Sequence, residues 1–343
     1  MEKNFLNPET KSKIIIIAEA GVNHNGKLSL AKELVDVAKS SGADYVKFQM
    51  FSTKRLVTPT AQSTEYQKRT SLRNTQYEIL KNLELTKQDF YHISNYCKTK
   101  KIGFLSTGFD IQSVNELNEI GMDYFKVPSG EINNLPYLRF VGGFMKPVII
   151  STGMATNNEI RDAIEILVKA GTSKDIITAL HCTSEYPAPF EDINLSAMLS
   201  IKSRHKIKVG YSDHSTGIEV AIASAAIGAE IIEKHVTLDK KMEGPDHKAS
   251  LEPHELKRMI NSVRNIEKAI GDGEKKVMAS ELKNKVLVRK SIVAACDIIK
   301  GQLFTPKNLD VKRPGYGLSP MFWDKVIGRK AVRDFQKDEM IEL

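Results

Sequence analysis

Residues 207–217, IKVGYSDHSTG, form an apolar segment that ends in a hydroxyl, a carboxylate and an imidazole, those of Ser212, Asp213 and His214. The first half has the β-branched and apolar residues of a buried strand. The next apolar segment along the chain, AEIIEKH at residues 229–235, ends in a second histidine. Polar side chains at the ends of consecutive buried strands are typical of a functional site at the carboxyl edge of a parallel sheet.

The same pattern repeats along most of the chain, with strand-like segments alternating with helix-like ones. The strand-like segments are KIIIIAEA, ADYVKFQ, IGFLST, MDYFKVPS, KPVIIST, DIITALHCT, IKVGYSD and AEIIEKH. About eight strand–helix units at spacings near 30 residues predict an α/β fold in which a parallel sheet closes into a (β/α)₈ TIM barrel. An open doubly wound sheet is the alternative.

Three regions are predicted from the change in pattern after the last barrel helix. Residues 1–271 form the barrel, which we expect to be catalytic, and the polar stretch at 272–285 is a linker. Residues 286–343 contain short β-prone pieces separated by Gly, Pro and Asn turns, which predict a compact β-rich module. A module of this size is marginally stable alone.

The composition and the absence of certain motifs argue against several classes of function. The 343 residues contain 50 Lys and Arg against 42 Asp and Glu, and the excess is spread along the chain. This favours small anionic ligands over nucleic acid. The three cysteines have no CxxC spacing, and no apolar run is long enough for a membrane span, so a cytoplasmic location is expected. Nucleotide-binding glycine motifs and the GxSxG nucleophile elbow are absent from the sequence.

Two histidines are candidate metal ligands. His214 and His235 end consecutive strands, and the carboxylates of Glu19 and Asp246 are expected nearby. Neutral imidazoles with carboxylates suit a divalent cation that keeps open positions for substrate oxygens. The alternative is that each histidine only hydrogen-bonds a loop backbone.

Two lysines are candidate anion ligands. Lys47 and Lys126 fall at the ends of the second and fourth strands, among hydroxyl side chains. Ammonium and hydroxyl donors in one place suit a phosphate or a carboxylate. One alternative is an aldolase in which a lysine forms a Schiff base, and another is a lysine that is merely solvated at a strand end. The hydroxyls are those of Thr107, Ser129, Ser151 and Ser212.

In order along nearly the whole chain, the motifs resemble those of the sialic acid synthase (N-acetylneuraminate synthase) family. They include AEAGVNHNG, KVPSGE, GYSDHS, EKHVTLDKKMEGPDHKASLEP and VKRPGYG. The resemblance implies a barrel followed by an antifreeze-like (SAF-type) domain, in a domain-swapped homodimer. It also implies that phosphoenolpyruvate condenses with an N-acetylated hexose, giving a nine-carbon α-keto acid and phosphate.

N-acetylmannosamine is the sugar expected on this resemblance. The motifs equally resemble those of N,N'-diacetyllegionaminate synthases, which would use 2,4-diacetamido-2,4,6-trideoxymannose. A Schiff-base aldolase and a non-catalytic sugar-binding protein are more distant alternatives.

Roles are carried over by position from the family. His214 and His235 match ligands of Mn²⁺ or Mg²⁺, and Arg313 matches an arginine that reaches the sugar from the partner subunit. Ser184 stands where some members have asparagine. The matching carboxylates, assigned to catalysis, are Glu19, Glu131 and Asp246. The remaining matching substrate-binding positions are Lys47, Gln49, Thr107, Lys126, Ser129, Ser151, Tyr186 and Ser212.

Overall fold

The computed structural model describes residues 13–62 and 75–343. Two compact units divide the chain, the first ending at Asp272 and the second spanning Gly273–Leu343. Among the helices in the described ranges, none combines the length and the apolar character that a membrane span needs.

The first unit is built on a closed barrel of parallel strands in the order β1 to β8, in which β8 pairs with β1. The predicted TIM barrel is therefore confirmed, and the open sheet is wrong. The strands are β1 (Ile15–Gly21), β2 (Tyr45–Met50), β3 (Gly103–Gly108), β4 (Phe125–Val127), β5 (Val148–Ser151), β6 (Ile177–His181), β7 (Lys208–Asp213) and β8 (Ile231–His235).

Amphipathic helices follow the strands and cover the outside of the barrel. In the first of them, Ala31, Leu34, Val35 and Ala38 are buried, which is the spacing of one helix face. The helices are α1 (Leu28–Ser41), α2 (Thr53–Leu56), α3 (Gln76–Leu83), α4 (Lys87–Lys100), α5 (Ile111–Ile120), α6 (Leu135–Gly142), α7 (Asn157–Ala170), α8 (Ala197–His205), α9 (Glu219–Ala226) and α10 (Pro253–Ala269).

Local signals fix where several helices begin. The Thr86 and Asp89 side chains form a capping box at the start of α4, and Thr156 and Glu159 form another at the start of α7. These side chains satisfy backbone N–H groups that have no partner within the helix. These caps therefore fix the residues at which α4 and α7 begin.

Asparagines in the loop after β1 join the first and last strands of the barrel. The Asn23 side chain donates hydrogen bonds to the Val236 carbonyl and to Ser250 Oγ, at 2.8 and 2.9 Å. Asn25 Nδ2 donates to the carbonyl of Glu243 at 2.9 Å. The loops after β1 and β8 therefore form one hydrogen-bonded layer over the point where the barrel closes.

The second unit has its own small apolar core and an antiparallel pair of strands, β9 (Ser291–Ala294) and β10 (Leu309–Lys312). It also contains α11 (Leu282–Val288), which begins inside the predicted linker, and α12 (Trp323–Val326). The core residues are Ile292, Ala294, Ile298, Phe304, Leu309, Val326, Ala331, Phe335 and Ile341.

Candidate functional site

A cavity of about 400 Å³ opens at the carboxyl ends of the barrel strands. Every site residue predicted in the barrel lines it, and their individual roles stay predictions. Arg313 belongs to the second unit, where it is exposed just beyond β10. The predicted residues that line the cavity are Glu19, Lys47, Gln49, Thr107, Lys126, Ser129, Glu131, Ser151, Ser184, Tyr186, Ser212, His214, His235 and Asp246.

Buried charges of both signs form the floor of the cavity. Lys47 Nζ lies 2.8 Å from a Glu19 carboxylate oxygen and 3.6 Å from Glu233. Lys126 Nζ lies 3.7 Å from the other oxygen of Glu233. Gln49 Nε2 donates to Glu19 at 2.9 Å. Glu233 therefore stands between the two lysines, and Lys47 is paired more closely with carboxylates than Lys126 is.

The pKa shifts follow this pairing. Burial lowers the pKa of Lys47, but the attraction of Glu19 and Glu233 outweighs it, and the net pKa is raised. Burial raises the pKa of Glu233, yet Lys126 and Lys47 together bring it down to about 2. For Lys126, burial outweighs the attraction of Glu233 and lowers the pKa. An anionic ligand beside Lys126 would favour its charged form.

Hydroxyl groups surround the lysines. Lys126 Nζ donates to Ser151 Oγ at 2.7 Å, and Lys47 Nζ donates to Thr107 Oγ1 at 3.2 Å. Ser129 Oγ accepts from the backbone N–H of Gly153 at 3.0 Å. A Cβ atom at Gly153 would lie 2.1 Å from Ser184 Oγ, so only glycine lets this loop approach the hydroxyls. The arrangement can bind a small anion.

His214 has a defined tautomer. Its Nδ1 lies 2.6 Å from the backbone carbonyl of Thr183, which can only accept, so Nδ1 carries the hydrogen. The Nε2 lone pair then faces Tyr186 Oη at 3.2 Å and Ser212 Oγ at 3.3 Å. Burial lowers the pKa of His214 to about 4, which leaves the imidazole neutral at pH 7.

His235 lies beside His214, with ring centroids 5.7 Å apart. Its Nδ1 is buried without a hydrogen-bond partner and lies 4.0 Å from Asp246 Oδ2. Burial lowers the pKa of His235 well below its usual value, with smaller contributions from the neighbouring His214 and Lys47. Burial raises the pKa of Asp246 to about 7, with a further contribution from Glu19. The reading that each histidine only bonds a loop backbone fits His214 Nδ1 and leaves His235 Nδ1 unexplained.

The side chains near His214 and His235 are of the kinds that bind a divalent cation. Two neutral imidazoles, one with an unpartnered buried nitrogen, lie near the carboxylates of Asp246 and Glu19. Within residues 13–62 and 75–343, no three His, Cys, Asp or Glu side chains are already grouped around one metal position. Two imidazole ligands would leave positions on such a cation for substrate oxygens.

Sequence reasoning missed Glu233. Glu233 precedes His235 by two residues, and side chains two apart on a strand share a face. That alternation is the signal that could have found Glu233. Asp213, between Ser212 and His214, is fully buried outside the cavity and pairs with Lys234 at 2.9 Å.

One side of the cavity is apolar, which the sequence did not indicate. We call this side the apolar wall, and it follows β2 and β3 in the loops and helices above the strand ends. Apolar residues of this kind are indistinguishable in sequence from core residues. The wall consists of Phe51, Leu56, Val57, Leu80 and Phe109.

Comparison with known proteins gives concordant matches over both units. A model of the NeuB family matches residues 34–275, and a model of the SAF domain matches residues 289–342. The N,N'-diacetyllegionaminic acid synthase of Campylobacter jejuni is 50% identical over 96% of this chain and 99% of that protein. The enzyme of the same name from Legionella pneumophila is 46% identical over 92% of this chain and 89% of that protein.

A solved structure is similar as well. The N-acetylneuraminic acid (sialic acid) synthetase of Leptospira borgpetersenii has a TM-score of 0.70 and 35% identity, covering 80% of this chain and 90% of that one. The sequence motifs resemble those of sialic acid synthases and those of N,N'-diacetyllegionaminate synthases equally. The two curated relatives above are both named N,N'-diacetyllegionaminic acid synthase, the activity that the motifs indicated as the alternative.

Proposed function

The chain belongs to the NeuB family, and from that premise we propose that it condenses phosphoenolpyruvate with 2,4-diacetamido-2,4,6-trideoxymannose, as an N,N'-diacetyllegionaminate synthase. Identities of 50% and 46% to proteins of that name, against 35% to the sialic acid synthetase, support this sugar over N-acetylmannosamine. The observation that carries the reaction type is one cavity that brings together two buried lysines, a set of hydroxyls and two neutral imidazoles.

Phosphoenolpyruvate would bind beside Lys47 and Lys126. Lys126 lacks a close carboxylate partner, so an anionic group of the substrate can approach it, while Ser151 and Ser129 offer hydroxyls beside it. Lys47 is held between Glu19 and Glu233 and keeps its positive charge. Charge-assisted hydrogen bonds of this kind position a small anion strongly.

His214 and His235 would hold Mn²⁺ or Mg²⁺, with Asp246 close by. When bound, such a cation makes the aldehyde carbon of the open-chain sugar more electrophilic. The Thr183 carbonyl supports this use by keeping the hydrogen of His214 on Nδ1, so that Nε2 offers its lone pair.

The bond changes balance without a further reactant. C3 of phosphoenolpyruvate forms a carbon–carbon bond to the sugar aldehyde, whose oxygen takes up a proton and becomes a hydroxyl, while water adds at C2 as positive charge develops there. The bond between C2 and the phosphate oxygen then breaks, phosphate leaves with the electron pair, and the C2 hydroxyl loses its proton to give the ketone. Of the two protons of water, one thus goes to the aldehyde oxygen and the other to phosphate. Glu19 and Glu131 both line the cavity, and either carboxylate can accept the proton of that water.

We further propose that the enzyme is a domain-swapped homodimer in which Arg313 reaches the sugar bound by the partner subunit. Arg313 is exposed, and the following proline stiffens its loop, so the guanidinium can be presented to a ligand oxygen with little loss of entropy. We expect Arg313→Ala to raise KM for the sugar far more than KM for phosphoenolpyruvate.

Subunit mixing tests the dimer. After exchange between Arg313→Ala and His235→Ala subunits, each mixed dimer has both lesions in one site and an intact second site. Because about half of randomly paired dimers are mixed, activity should recover to about a quarter of wild type. A mixture that stays inactive despite demonstrated exchange would mean that Arg313 serves its own chain.

The reaction itself is tested by phosphate release from phosphoenolpyruvate with each sugar in turn, before and after chelation. We expect a higher kcat/KM with 2,4-diacetamido-2,4,6-trideoxymannose, loss of turnover with chelator, and recovery with Mn²⁺ or Mg²⁺. A preference for N-acetylmannosamine would refute the proposed sugar. Borohydride trapping of pyruvate on a lysine would favour the aldolase instead.

A further inference from the structure

The apolar wall belongs to a small hydrophobic cluster that is separate from the barrel core. Val22, Phe51, Ile79 and Leu83 form its buried part, and Leu56, Leu80 and Phe109 are partly buried against it. The Phe51 and Phe109 rings meet edge to face, with centroids 6.3 Å apart. Such packing holds the wall in one shape without help from the core.

The wall lies beyond the carboxyl ends of β2 and β3, farther along the chain from the strand ends than Lys47. Lys47 is within β2, whereas Phe51 follows that strand and Leu80 lies on α3. Of the cavity residues described between 51 and 80, Gln76 alone is polar. A hydroxyl pressed against this surface would lose water and find few partners, whereas a methyl group would gain by leaving water.

A second cavity of about 480 Å³ adjoins the wall. Leu56 and Phe109 line both cavities, and Glu131 lies at the same boundary. Arg55 and Asn134 line the second cavity only, so an amide group that entered it would meet polar side chains. Among the residues that the structure describes, the site therefore leaves room beyond an apolar surface for a substituent that projects from the sugar.

We propose that the apolar wall determines the choice of sugar by contacting the part of the substrate farthest from the aldehyde. It favours a sugar with a methyl group in place of a terminal hydroxyl, and the space past Leu56 and Phe109 receives a second acylamino group. This inference rests on the proposed function. Because the sugar aldehyde must meet C3 of phosphoenolpyruvate beside the lysines, the other end of the sugar points away from them.

Polar substitutions in the wall test the inference. In Leu80→Gln and Leu56→Asn, we expect kcat/KM for 2,4-diacetamido-2,4,6-trideoxymannose to fall about ten- to a hundred-fold, mainly through KM. The kcat/KM for N-acetylmannosamine should stay level or rise, and KM for phosphoenolpyruvate should not change. Leu80→Met, which conserves volume and apolar character, should keep the wild-type preference.

Val168→Gln is the matched control, since Val168 is exposed on α7 and does not line the cavity. An equal loss with both sugars, or an unchanged preference in both polar variants, would overturn the role of the wall. If wild-type protein releases phosphate with neither sugar, the proposed function fails first, and the inference falls with it. Unfolding curves of each variant separate these outcomes from misfolding.

Discussion

Charged residues on the two faces of strands β7 and β8 have different partners. Successive residues of each strand point alternately to the inner face, toward the cavity, and to the outer face. On the outer face, Asp213 and Lys234 form a fully buried ion pair. Lys234 also donates to the Ser215 carbonyl at 2.6 Å, and Asp213 accepts from the backbone N–H and the hydroxyl of Ser215. The charged groups of Asp213 and Lys234 are therefore satisfied by each other and by Ser215, although Tyr211 Oη on the same face of β7 has no hydrogen-bond partner within the described part of the chain.

On the inner face, buried polar atoms are left without hydrogen bonds. His235 Nδ1 and Glu233 Oε2 are both in this condition, although they lie on the strand that carries Lys234. Unpaired buried polar atoms cost stability, and they are retained where a ligand completes them. We therefore expect the ion pair of the outer face to stabilise the strand ends and the groups of the inner face to serve ligand binding.

The largest expected effect tests the inner face. In His235→Ala, turnover should fall by at least about a thousand-fold, because stabilisation of the aldehyde oxygen by a bound cation contributes several kcal/mol. The free energy of unfolding should stay level or rise, since an unpaired buried nitrogen is removed. Steady-state kinetics and urea unfolding measure both quantities. Global unfolding of this variant would mean that His235 is structural.

Removing one partner of the outer ion pair should lower stability and leave the inner face in place, the reverse of the result expected for His235→Ala. Lys234→Met leaves the Asp213 carboxylate buried without its counter-ion, and we expect the free energy of unfolding to fall by about 3–5 kcal/mol. The double variant Asp213→Asn with Lys234→Met should regain most of the loss, because no buried charge remains. If Lys234→Met is as stable as wild type, the outer face does not have the stabilising role assigned to it.

Lys126 should show a smaller effect, mainly on substrate binding. Lys126→Ala removes a charged donor, which costs about 1.5–3 kcal/mol and raises KM for phosphoenolpyruvate about ten- to a hundred-fold. Stability should fall less than in Lys234→Met, because Glu233, which lies 3.7 Å from Lys126, keeps Lys47 as a second cationic neighbour. An unchanged KM would place the phosphoenolpyruvate site elsewhere.

A pair of serines gives the smallest and most direct contrast. Ser215→Ala should lower the free energy of unfolding by about 1 kcal/mol while leaving kcat/KM unchanged, since its hydroxyl serves Asp213. Ser212→Ala should lower the free energy of unfolding by a similar amount, since its hydroxyl donates to Glu233 at 3.0 Å, and it should also raise KM for phosphoenolpyruvate, since Ser212 lines the cavity. An equal KM for phosphoenolpyruvate in the two variants would remove the distinction between the faces.

The sequence predicted the barrel because each strand is a short apolar segment with polar residues at its end, and that pattern is local. It also predicted which residues meet at the cavity, since parallel strand ends share one rim. The outward direction of Asp213 follows from the alternation of side chains, because it stands between Ser212 and His214, which line the cavity. Its pairing with Lys234 could not be predicted, because it depends on the register between β7 and β8. The apolar wall was missed because Leu56 and Leu80 have the composition of core residues, and only the folded chain shows that they face a cavity.

The closure of the barrel between β1 and β8 has a consequence for synthesis on the ribosome. Glu19 pairs in register with His235, and Asn23 bonds Ser250, a residue 227 positions later. Strand β1 emerges early and waits with an open edge until β8 has left the exit tunnel, since nothing earlier in the chain takes that place in the sheet. Contacts between distant segments form late, and unpaired edges promote aggregation in the meantime. Nascent chains that stop before β8 should therefore depend on chaperones and should contain neither a closed barrel nor the pairing of Glu19 with His235.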